Sequence, residues 1–60
     1  MNTSRQFYAN VKGAALQLAM HVHYVHAIRD ALEAKEIHYA RAMARHARQF
    51  WKAYLHYTAP

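Results

Sequence analysis

The stretch Arg29-Asp30-Ala31-Leu32-Glu33-Ala34-Lys35-Glu36 decides the fold, because it either carries one long helix through the middle of the chain or turns the chain back on itself. Asp30-Ala31-Leu32-Glu33 has the spacing of a capping box, in which the first side chain accepts from a new helix and the fourth reaches back. Yet the stretch lacks the Gly, Asn or Pro that ordinarily accompanies a turn. An unbroken helix keeps Leu32, Ala40, Ala47 and Tyr54 roughly in phase with the apolar face upstream, apart from Glu36. Against it, helices average only about 11 to 12 residues, and folding back lets two helices cover each other. The expected fold is all-α: a two-helix hairpin that self-associates into a helical bundle, with one long continuous helix in a coiled-coil-like oligomer as the alternative. The chain reads as a single domain over residues 1–60, with a helix over about 4–29, a turn within about 29–36 and a helix over about 36–57.

Outward from that stretch the composition is helical nearly throughout. Alanine, leucine, methionine, glutamine, lysine and arginine dominate, no apolar/polar alternation appears, and turn dipeptides are missing. Thr3-Ser4-Arg5-Gln6 fits a capping box at the start, and Pro60 closes the end. Gly13 weakens the first helix by about 1 kcal/mol relative to alanine, which suggests a close contact or a kink there. At about 100° per residue, Phe7, Val11, Ala14, Leu18, His21, Val22, Val25, Ile28 and Leu32 form one apolar seam. Leu16, Met20, Tyr24, Ala27 and Ala31 form a second stripe on nearly the opposite side, more than a helix with a single neighbour needs. The second half is more simply amphipathic, with Ile37, Ala40, Met43, Ala44, Ala47, Phe50, Trp51 and Tyr54 on its apolar face.

Sixty residues without cysteine cannot use disulfides or thiolate-bound zinc, and a chain of this size is marginal on its own core. Thirteen residues are alanine, which favours helix but buries little area, so self-association is expected to supply the missing stability. The residues expected to form the oligomer core are Leu18, Val22, Val25, Ile28, Leu32, Met20 and Tyr24. The uncharged run from Gly13 to Ile28 is interrupted by Gln17, His21, His23 and His26 and is shorter than the roughly 20 residues of a membrane span. It reads as a core helix, and with no convincing targeting segment the expected location is the cytoplasm.

Catalytic chemistry is poorly supplied. Asp30, Glu33 and Glu36 are the only carboxylates and Ser4 the only serine, so a nucleophile with its base and orienting group is hard to assemble. There is no phosphate-binding glycine loop and no metalloprotease motif, and no cofactor is implied. The six histidines are the oddity of the composition. His23, His26 and Asp30, at i, i+3 and i+7, are the candidate metal ligands, although a simple His26–Asp30 pair with a solvated His23 explains them more economically. His21, on the apolar seam, reads as a core histidine with one polar partner.

Eight Lys/Arg against three acids leave a net charge of +5, which favours anionic partners. That charge is concentrated: Arg41, Arg45, Arg48 and Lys52, spaced 4, 3 and 4, share one helical flank beside Trp51 and Tyr54. Arginine forks suit phosphate or carboxylate, and an exposed ring could stack a base or enter a lipid interface. The plainer reading is a solvated helix face whose rings belong to the core. The expected function is that of a small, basic, non-enzymatic regulatory protein, self-associating and docking through this ridge on nucleic acid, a nucleotide or an acidic protein surface. An inhibitor carried by a mobile element fits the same features. The alternative is a bacteriocin-like amphipathic peptide acting at membranes, with a membrane surface as the less favoured partner.

Overall fold

The structure, a computed structural model, describes the backbone of residues 2–59 and the side chains of residues 9–59. The side chains of the Thr3–Gln6 capping box, Phe7 and the closing Pro60 lie outside these residues. The chain forms two helices, α1 over Asn2–Glu33 and α2 over Ile37–Thr58, with no strand among the described residues. They pack against each other as an antiparallel hairpin measuring 52 × 14 × 12 Å. Its long dimension is that of α1, since 32 residues at 1.5 Å rise span about 48 Å. The continuous rod is therefore not adopted.

The turn is made without glycine. α1 continues through Asp30, so the Asp30–Glu33 capping box does not form, and the good helix formers Ala31, Leu32 and Glu33 carry the helix four residues past Arg29. It stops where Lys35 enters the left-handed region at φ 61°. The Glu36 N–H then donates to the Ala31 carbonyl at 2.8 Å and the Lys35 N–H to the Leu32 carbonyl at 3.0 Å. This pair of bonds is the Schellman arrangement, which satisfies carbonyls that a helix end leaves without partners. Ile37 then opens α2, with Glu36 before it making no side-chain cap bond.

Packing between the helices is close and built on small residues. Ala31, Ala40 and Ala47 are the only buried residues among those described. Beside them, Tyr24 stacks on Phe50 with ring centroids 5.5 Å apart and 11° between planes, and it meets His46 at 5.2 Å. Met20, Ala27, Ile28 and Met43 are half-buried. At the open end, Tyr57 lies over Gly13, where a Cβ would come within 2.6 Å of the ring; the glycine marks a close contact.

Of its two apolar stripes, α1 presents to α2 the one containing Met20, Tyr24, Ala27 and Ala31, joined by His21 and Ile28, whereas Leu16 of that stripe is 59% exposed. Val11, Leu18, Val22, Val25 and Leu32, from the other seam, remain 38% to 52% exposed. Among the described residues no helix is long and apolar enough to cross a membrane.

Candidate anion-binding ridge

The basic ridge follows from how α2 meets α1. With Ala40 and Ala47 buried and Met43, Phe50 and Tyr54 half-buried, the inward side of α2 is fixed. At 3.6 residues per turn, Arg45 and Lys52 fall on the opposite side, and Arg41 and Arg48 lie between that side and the flank carrying Trp51. All four are exposed. From Arg41 to Lys52 the ridge rises about 16 Å along the helix axis.

Its electrostatics are one-sided. α2 contains no Asp or Glu, and the carboxylates Asp30, Glu33 and Glu36 are gathered at the hairpin turn. Among the described residues the one ion pair is Arg29 Nε with Asp30 Oδ1 at 3.7 Å, on exposed side chains. Neighbouring cations at i, i+3 and i+4 therefore face each other without an intervening acid. Each such like-charge pair costs a helix about 0.2–0.5 kcal/mol. The exposed His38 and His56 border the ridge on its other side.

The rings expected to work with the ridge are engaged within the hairpin. Trp51, 40% exposed, has its ring centroid 5.2 Å from that of His21 and 5.2 Å from that of Tyr54. Tyr54 is half-buried against α1's side of the helix. The ridge thus offers guanidinium and ammonium groups, with the Trp51 indole at its edge.

Of the residues expected to form an oligomer core, Ile28, Met20 and Tyr24 face α2, whereas Leu18, Val22, Val25 and Leu32 lie on the outside of α1. His23, His26 and Asp30 are all exposed, and no group of three His, Cys, Asp or Glu side chains among the described residues is placed to hold a metal ion. Asp30 contacts Arg29 rather than His26. His21 does have one polar partner, the Ala47 carbonyl oxygen, 2.8 Å from its Nδ1. An open groove of about 300 Å³ between Asn10, Val11, Ala14, Tyr57 and Thr58 lies at the far end and contains no ionised side chain.

Two exposed residues escaped the sequence reading: Tyr39, 52% exposed, and Leu55, 46% exposed on the same flank of α2 as Trp51 and Ile37. The spacing of Ile37, Ala44, Trp51 and Leu55, at 7, 7 and 4, is the signal that marks Leu55. No protein-family model, curated protein or solved structure matches the chain.

Proposed function

We propose that this chain is a non-enzymatic, self-associating binding protein that docks through Arg41, Arg45, Arg48 and Lys52 on the phosphate backbone of a nucleic acid, and so regulates what that nucleic acid can bind. The observation that carries the reading is a row of four exposed cations on a helix without a single acid, a charge pattern the hairpin itself leaves unneutralised. A row of phosphates supplies the missing charge at repeated intervals, and arginine forks bind phosphate oxygens bidentately. Because Trp51 and Tyr54 pack on each other and Trp51 on His21, recognition is of backbone rather than stacked bases. Such binding is insensitive to sequence and strongly dependent on salt.

The test is titration of a fluorescently labelled duplex with the wild-type chain and with Arg45→Glu/Lys52→Glu. The proposal expects the double reversal to abolish binding while helicity is retained. Equal binding by both proteins would overturn it. Binding of an acidic protein surface but not of the duplex would transfer the ridge to a different class of partner.

A further inference from the structure

α1 carries two seams of heptad spacing, and the hairpin covers the more polar one. The seam turned toward α2 includes Gln17, His21 and Tyr24. The outward seam is purely aliphatic at its main positions: Val11, Leu18, Val25 and Leu32 recur every seven residues, with Val22 between them. A 4-3 spacing of aliphatic residues is the pattern by which helices pair with further helices, and here it has no partner within the chain.

The flank of α2 that carries Ile37, Trp51 and Leu55 lies on the same side of the hairpin. In antiparallel helices, viewed along one axis, advancing one residue turns clockwise in one helix and anticlockwise in the other. The two flanks one residue beyond the contact seam therefore face the same way. The His21–Trp51 ring contact across the interface agrees with this. One broad side of the hairpin is thus mostly apolar, interrupted by the exposed Arg29 between Val25 and Leu32 and bordered by Arg41 and Arg48, while Arg45 and Lys52 point away from it.

We infer that this side is a docking surface for a second copy of the same chain, paired about a two-fold axis into a four-helix assembly that leaves Arg45 and Lys52 outside and Arg41 and Arg48 at its rim. The argument is one of area. A compactly folded chain of 7.0 kDa exposes about 4,000 Å². This hairpin exposes 5085 Å². The surplus, about 1,000 Å², part of which belongs to the stretch of α1 that runs past the end of α2, is of the order of the roughly 800 Å² that each partner contributes to a stable interface. A two-fold pairing presents the same patch from both copies, so a largely aliphatic surface complements itself. Self-association in general belongs to the function proposed above. The assignment of this face, with Leu18, Val22, Val25 and Leu32 between copies and Met20, Tyr24 and Ile28 within each copy, does not depend on what the ridge binds.

The experiment is sedimentation equilibrium in plain buffer at several protein concentrations, with circular dichroism and the emission of Trp51 recorded on the same samples. The expected result is a mass of two chains at tens of micromolar. On dilution, Trp51 emission should move to the red as the mass falls. Val22→Ala/Val25→Ala keeps or raises helix propensity, so any loss of association cannot be blamed on a helix that fails to form. It should raise the dissociation constant by at least about tenfold. Gln49→Ala, on the opposite flank, should leave it unchanged. A fully helical chain of 7.0 kDa at these concentrations would overturn the inference, as would a double-valine variant that associates like wild type. So would helicity that appears only on adding vesicles of anionic phospholipid, since the face would then belong to a membrane.

Discussion

The Nδ1 of His21 lies 2.8 Å from the carbonyl oxygen of Ala47, joining α1 to the backbone of α2. Because the acceptor is a carbonyl, Nδ1 is the donor, which fixes the tautomer of the ring. The same ring rests against Trp51. A seam of alanines is a smooth track along which one helix could slide past the other, and this polar tie gives the pair a register.

Replacing His21 by leucine tests the tie. The Ala47 carbonyl still accepts from its own helix, so it is not orphaned, and the expected cost is about 1 kcal/mol. Urea unfolding at fixed protein concentration measures it. His21→Asp, which brings a carboxylate against that carbonyl, should cost more than leucine. Equal stability of wild type and His21→Leu would show that the contact contributes nothing.

The turn yields a stabilising substitution. Lys35 holds φ 61°, a conformation that a residue with a Cβ adopts at a cost of roughly 1 kcal/mol and glycine adopts freely. Lys35→Gly should therefore raise unfolding stability by about 0.5–1 kcal/mol, read from the urea midpoint with the slope unchanged. A loss of stability would mean that the lysine side chain contributes more than its backbone strain costs.

That turn also explains what could and could not be read in advance. Composition makes helicity plain, and the residues from Arg29 to Glu36 admit either a fold-back or an unbroken helix. The turn residue was hidden because Lys35 takes the left-handed position on the strength of the two backbone bonds from Lys35 and Glu36, with no glycine to announce it. The choice of seam was hidden for a related reason. Hydrophobicity ranks Leu18, Val22 and Val25 above Gln17 and His21, but what fits α2 is decided by the small Ala40 and Ala47 and by the rings of Phe50 and Trp51. The cationic spacing of the ridge was legible because it is local to one helix. The direction of Trp51, toward His21, was not, because it depends on where α1 comes to lie.

Gly13 and Tyr57 give a coupled pair. Alanine at 13 gains about 1 kcal/mol of helix propensity, but its Cβ would meet the Tyr57 ring at 2.6 Å. In the wild-type background the gain should be largely cancelled by displacement of the ring. In a Tyr57→Ala background it should appear in full. A double-mutant cycle on thermal or urea unfolding should give a coupling of about 0.5–1 kcal/mol. Strict additivity would mean that the ring moves aside at no cost.

Anions should stabilise the folded hairpin if the ridge is a binding surface. Arg41, Arg45, Arg48 and Lys52 repel one another along α2, and a multivalent phosphate bound across them removes that repulsion while favouring the folded state by mass action. A short polyphosphate should raise the melting temperature of wild type more than the same ionic strength of chloride. Arg45→Glu/Lys52→Glu should lose most of that difference, and Lys12→Glu, away from the ridge, should keep it. An equal loss in Lys12→Glu would indicate a diffuse field rather than a site.

The most direct test of the ridge is the salt dependence of duplex binding. Neutralising four phosphates per docked hairpin should give a plot of log binding constant against log salt concentration with a slope of about −3 to −4, and Arg45→Gln should make it shallower by about 1. A slope near zero, or one that Arg45→Gln leaves unchanged, would contradict phosphate docking by Arg41, Arg45, Arg48 and Lys52.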